Sequence, residues 1–176
     1  MSMNGDDDRI WETPSRGNFN FITMCEEIKN YIKKEPNCKY HIFVGSDSQR
    51  HCIRKKNNPT FYTKFVTAVA IHREGKGGQF YLSSEKNFHI NSLQQKIMYE
   101  SNLTYIFHTY LENELTDVLI EYNVDLTPHI DIGVKGKTKQ FITQVLDMFK
   151  AIGRNVATIK PNCAGCAIAN KYTKQG

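Results

Sequence analysis

The chain changes its hydrophobic period once, near residue 90, and that change limits the fold more than any other feature. Before it come three β-branched and aromatic runs, "KYHIFVGSDSQ" (39–49), "FYTKFVTAVAIH" (61–72) and "QFYLSS" (79–84). Two polar stretches with turn chemistry join them, one holding Asn57-Asn58-Pro59 and the other reading "REGKGG", so a three-strand antiparallel meander is expected. After the change, Leu93, Ile97, Leu103, Phe107, Leu111 and Leu115 form one helical stripe across 90–116. "VDLTPHIDIG" then predicts a fourth strand, and "KTKQFITQVLDMFKAIG" an amphipathic helix closed by Gly153. "NVATIK" predicts a fifth strand, and "NCAGCAIANKYTK" a last helix with Asn162 as N-cap. Ahead of the meander, Phe21, Cys25, Ile28 and Ile32 predict a helix over 20–34, ending before Pro36. The order is an extra N-terminal helix, then βββ-α-β-α-β-α. This is an α/β pattern: a mixed five-stranded sheet, with two parallel strands added to the meander, flanked by helices.

A length of 176 residues suits one domain. Residues 1–17 hold Asp6-Asp7-Asp8 and no apolar core of a signal peptide, which predicts a flexible polar tail before a single domain over 18–176. With 40% hydrophobic and 23% charged residues, and no apolar run near the ~20 residues of a membrane span, a cytoplasmic protein without a membrane partner is expected. Five cysteines, an odd number, argue against a disulfide scaffold. The formal charge is +5 and the excess base is clustered. Arg50, Arg54, Lys55 and Lys56 fall in one stretch, and Lys135, Lys137 and Lys139 in another. Such clusters suit a nucleic acid (RNA, DNA or hybrid) and equally suit a solvated lysine-rich surface.

Three acids stand out. Alternation puts Asp47 on one strand face with His41, Phe43 and Gly45, although a lone Asp at a strand end also serves turns. Glu100 interrupts the apolar stripe, three residues from both Ile97 and Leu103. A carboxylate there is unfavourable unless paired, protonated or bound to metal. Asp131 ends the fourth strand, where ligands of open α/β sheets gather. Together they make hard oxygen ligands for Mg²⁺ or Mn²⁺. Two such ions, about 4 Å apart, support phosphodiester hydrolysis. Gly136-Lys137-Thr138 imitates a phosphate loop, but the first glycine of that pattern falls on Asp131, so no nucleotide cofactor is expected.

"FVGSDSQ", "HIDIGVKGKTKQFI", "GRNVATIKP" and "AIANKYTK" resemble the YkuK family of predicted RNase H-like nucleases, over about Tyr40 to Lys174. The resemblance implies an RNase H-like sheet with Asp47 and Asp131 on neighbouring parallel strands and Glu100 reaching in from the helix. It implies a metal-dependent nuclease that leaves 5′-phosphate and 3′-hydroxyl ends, or a weakened binding module of the same fold. It also implies a fourth ligand from the last helix, usually Asp, at a position held here by Asn170. An amide oxygen coordinates a cation without supplying charge, so the second ion is expected to be held less firmly.

Other features have plainer readings. Cys163 and Cys166 begin the last helix as a redox pair would, yet Cys163, Cys166, Ala167 and Asn170 also read as small residues of one packing face. His89 and His129 near strand ends suit proton transfer or a structural role. Phe61, Tyr62, Phe65 and Tyr81 suit the two faces of the sheet.

Overall fold

Alternate residues from Tyr40 to Val44 are apolar and wholly buried, and the strand they begin carries the rest of the molecule. The computed structural model describes residues 9–14, 16–53, 59–132, 138–151, 158–159 and 164–174. In chain order the elements are β1 (Trp11–Thr13), β2 (Gly17–Phe19), α1 (Phe21–Lys33), β3 (Tyr40–Ile53), β4 (Thr60–Arg73) and β5 (Gly77–Asn87). Then follow α2 (Leu93–Glu121), β6 (Asp125–Ile130), a 3-10 turn (Lys139–Phe141), α3 (Ile142–Lys150), β7 (Thr158–Ile159) and α4 (Ala164–Thr173). They form one mixed sheet in the order β2-β1-β5-β4-β3-β6-β7. The β3–β4–β5 meander is antiparallel, as its turns predict, and β6 joins β3 and then β7 in parallel.

The strand count differs from the five expected: among the described residues there are seven. The two additions are β1 and β2, which pair with each other and reach β5 through Glu12 opposite Leu82. Part of the stretch expected as a tail is therefore strand. Its anchor is Trp11, fully buried, with its ring edge-on to Phe107 at 5.0 Å between centroids. Two three-residue strands are too short to show a period, and one buried ring outweighs the polar composition around it.

The helices form for local reasons. Asn20 caps α1 by accepting from the Thr23 amide at 2.7 Å. Ser92 and Gln95 close a reciprocal capping box at the start of α2. Ile97, Leu103, Phe107, Leu111 and Leu115 are buried as the stripe predicts, whereas Leu93 is left exposed in the first turn. The main core packs α1 and α2 onto one sheet face, joining Met24, Ile28, Phe107 and Leu111 to Ile42, Val44, Phe65 and Val69. A second cluster seats α3 through Val145 and Phe149 against Ile97, Ile130 and Ile132.

On the other face α4 lies almost on the strand backbone. A Cβ at Gly45 would stand 2.8 Å from the Cys166 amide nitrogen and 3.0 Å from the His129 carbonyl oxygen. Any larger residue would lift α4 off the sheet. That close approach carries the end of α4 to the second half of β3, where the acids lie.

Candidate functional site

Strand β3 passes between α2 and α4, and its pleat sends successive side chains to opposite sides. Asp47, on the α4 side with Gly45, accepts a hydrogen bond on Oδ2 from the Thr173 hydroxyl at 3.2 Å. Ser48, on the α2 side, donates to Glu100 Oε1 at 2.7 Å. One strand thus holds an acid from each side within adjacent residues. Asp131 follows β6, the parallel neighbour of β3, and is half-buried.

The charges of these acids act on one another. Glu100 is only 8% exposed, and burial is the main reason its pKa is pushed up to about 7. The carboxylates of Asp47 and Asp131 push the same way, while Lys96 and the Ser48 hydrogen bond oppose them. Burial, then the charge of Asp131, also raises Asp47 above the usual carboxylate value; Lys96, the Ser48 amide and Thr173 offset part of this. Lys96 reaches Glu100 Oε1 at 3.6 Å, one helical turn away, and is the nearby cation. The charges of Asp47 on β3 and Asp131 after β6 are therefore both felt at Glu100 on α2, and that of Asp131 at Asp47.

Their present contacts are with protein groups. Thr173 holds Asp47, and Ser48 with Lys96 holds Glu100. Among the described residues, no group of three or more His, Cys, Asp or Glu side chains is spaced to hold a metal ion. The chemistry of the donor set still fits a hard divalent cation: oxygen ligands, excess negative charge, and partial burial that penalises that charge.

Asn170 does not touch these acids in the hydrogen bonds described. It is exposed, and its carbonyl oxygen lies 3.0 Å from the Thr173 hydroxyl, sharing with Asp47 the one hydrogen that hydroxyl donates. The buried face of α4 runs through Gly165, Cys166, Ala169 and Thr173, so the expected sharing of one inward face by Cys166 and Asn170 is corrected. Arg50 and Lys139 are exposed, while Arg54, Lys55, Lys56, Lys135 and Lys137 lie outside the described residues.

His129 is structural in setting. It stacks on Phe43 at 4.6 Å and accepts the Gly165 N–H on Nδ1 at 3.1 Å, and burial lowers its pKa to about 4. His89 is exposed, with its amide on Asn87 Oδ1 at 2.8 Å. Cys25, Cys38 and Cys52 are free thiols, whereas Cys166 is disulfide-bonded; Cys163 lies outside the described residues. Among the described residues no helix is long and apolar enough to cross a membrane.

Sequence reasoning missed Ser48, Lys96 and Thr173. Two carried a signal: Ser48 adjoins Asp47 on the opposite pleat, and Lys96 stands four residues before Glu100. His51, which meets the Thr173 carbonyl oxygen through Nε2 at 2.8 Å, ties the end of α4 to β3 and was equally unforeseen.

With acids on the first core strand, the long helix and the strand beside it, comparison with known proteins gives a consistent assignment. The Ribonuclease H-like family matches residues 23–174, and the chain belongs to that family. It is 32% identical over 172 residues to the uncharacterized protein YkuK of Bacillus subtilis (strain 168), covering 91% of this chain and 94% of that protein. No solved structure matches. The RNase H-like fold is generally associated with nucleic-acid binding.

Proposed function

We propose that the protein hydrolyses phosphodiester bonds of a nucleic acid, with Asp47, Glu100 and Asp131 holding Mg²⁺ or Mn²⁺, two ions when fully loaded. The observation that carries this reading is that, in an RNase H-like chain, the charges of Asp47 and Asp131 bear on the buried Glu100, so that acids from three separate elements influence one another. Bound cations would supply charge neutralisation at the phosphate and a nucleophile from water at neutral pH.

The chain's own residues prepare that site. Ser48 and Thr173 fix the two buried acids, and Lys96 limits their repulsion before a cation arrives. Burial pushes the Glu100 pKa up to about 7, so a cation held there would compete with a proton. Thr173 is a positioning residue, acting through Asp47. In this reading Asn170, exposed on α4, stays outside the ligand set, and Arg50, Arg54, Lys55, Lys56, Lys135, Lys137 and Lys139 meet the phosphate backbone.

A second reading has a specific observation behind it. Glu100 Oε1 is already engaged by Ser48 and Lys96, and Asn170 is exposed, as suits a binding module with weakened catalysis. Purified protein with Mg²⁺ or Mn²⁺, assayed on labelled single strands, duplexes, hybrids and junctions, separates the two. Metal-dependent cleavage that Asp131→Asn abolishes supports the nuclease. Binding without cleavage under every condition supports the module.

A further inference from the structure

Phe61 is a large aromatic residue left 46% exposed at the outer end of the β3–β4 hairpin, where burial would be the ordinary outcome. The Arg50 guanidinium lies over its ring, 4.7 Å from the centroid. In the register Cys52 faces Phe61 and Arg50 faces Thr63, so Phe61, Thr63 and Arg50 share the face turned to α2. There, Arg50 and Thr63 line a groove of about 270 Å³ with Asn91, Ser92 and Lys96 from the start of α2. Lys96 in turn reaches Glu100 at 3.6 Å. The groove, which Ile90 and Leu93 also line, is thus linked at one side through Arg50 to the exposed ring of Phe61 and at the other through Lys96 to Glu100.

We propose that this groove holds one unpaired nucleotide beside the acid site, its phosphate between Arg50 and Lys96 and its base stacked at Phe61. The inference rests on the nucleic-acid reading above and adds the substrate class, a strand that is single at this point. Charge selects the ligand: a phosphate complements the two cations, and the Thr63 and Ser92 hydroxyls and the Asn91 amide can donate to its oxygens. Size selects one unit of chain, since whole-ligand pockets usually run about 300–1,000 Å³. Stacking selects the unpaired state. A base inside a duplex spends both faces on its neighbours, whereas an unpaired base has a π-face free for an aromatic ring or a guanidinium plane. Every base has such a face, so the groove favours single strands with little regard to sequence.

The test is binding measured by fluorescence anisotropy with a chelator present, so that no cleavage intrudes. The probes are short labelled single-stranded DNA and RNA, and a blunt duplex of the same sequence. Phe61→Ala is expected to weaken single-strand binding about 5- to 150-fold and duplex binding by less than about twofold. Phe61→Trp should retain the single-strand affinity. Phe61→Leu, which keeps apolar bulk without a ring, should lose it and guards against a misfolded Ala variant. Equal losses on single strand and duplex, or no loss in a folded variant, overturn the proposal. Cleavage by the wild-type protein without this pattern overturns it alone. The pattern without cleavage overturns only the hydrolytic reading, and absence of binding to any probe overturns both.

Discussion

The two halves of β3 are built on opposite principles. From Tyr40 to Val44 the inward side chains are Tyr40, Ile42 and Val44, all wholly buried in the main core. From Ser46 to Ser48 the strand stays buried but turns polar: Ser46 bonds Thr67 at 2.9 Å, Asp47 bonds Thr173 and Ser48 bonds Glu100. The first half lowers the free energy by removing apolar surface from water. The second costs free energy, since burying carboxylates is unfavourable even when they are hydrogen-bonded. The lesson is a division of labour within one strand, in which apolar packing fixes the position that the polar end uses.

The sharpest way to break that comparison is to damage the apolar half directly and the polar half through Asp131, the neighbouring acid whose charge bears on Asp47 and Glu100. Ile42→Ala should lower stability by about 2–5 kcal/mol, while the activity per folded molecule stays near that of the natural protein. Asp131→Asn should do the reverse. Cleavage should fall at least about a hundredfold, about 3 kcal/mol on the barrier. Removing a charge that raises both Asp47 and Glu100 should leave stability unchanged or higher. Denaturant melts paired with single-turnover cleavage check both. If the two variants lose stability and activity in the same proportion, the halves are not distinct.

Acidity tests the electrostatic side. Glu100 has its pKa raised from 4.5 to about 7 in the folded state, so between those values the native protein holds a proton that the unfolded chain has released. Its contribution to stability therefore falls as pH rises through that window, by about 3 kcal/mol in total. His129 has its pKa lowered from 6.5 to about 4. There the unfolded chain holds the extra proton, and stability rises with pH by a similar amount. The two slopes oppose each other where the windows overlap. Without divalent cations, these opposing slopes should partly cancel in the natural protein. Glu100→Gln should gain stability as pH rises, and His129→Asn should lose it. Melting midpoints across this range would expose a wrong assignment as a missing or inverted slope.

Much of this was legible because the signals were repeated. Alternation recurs through the meander, and the α2 stripe covers several turns, so a single carboxylate at Glu100 stands out against it. The features that were not legible depend on one side chain or on helix phase. Trp11 draws β1 into the sheet through ring contacts with Phe107 and Phe21 that no local pattern announces. At about 100° per residue, Asn170 lies only about 40° from Cys166, which made it look inward. The whole face is centred by Gly165, Ala169 and Thr173 as well, and Asn170 falls roughly 85° from that centre. The start of α4 and its packing against Gly45 set this phase, and both are tertiary facts.

That phase leads to a smaller prediction. Thr173→Val removes the hydrogen bond to Asp47 while keeping the shape of the side chain. A bond to a charged group contributes about 1.5–3 kcal/mol, so cleavage should drop about tenfold or more, with a higher cation requirement. Asn170→Ala should change both by less than about threefold. If Asn170→Asp instead lowers the cation concentration needed for half-maximal cleavage, Asn170 is a ligand after all, and the phase argument fails.

The smallest expected effect concerns the basic surface, the outermost extension of the polar half. Arg50 lies only two residues beyond Ser48 on the same pleat, whereas Lys139 is exposed at the start of the 3-10 turn before α3. If both meet phosphates, each should contribute about 0.9 to the slope of log affinity against log salt on duplex DNA. The two differ in what else they do. Arg50 also stacks on Phe61 at 4.7 Å, so Arg50→Lys keeps the charge and the salt slope but gives up the planar contact. It should weaken single-strand binding more than duplex binding. Lys139→Ala should lower the slope by about one unit and weaken all nucleic acids alike, because a phosphate contact positions a strand without reading its bases. Salt titrations of both variants, on single strand and duplex, separate a stacking cation from a purely electrostatic one. Unchanged affinity of Arg50→Lys for single strand and duplex alike would reduce Arg50 to a surface charge and remove the base-stacking end of the groove from β3.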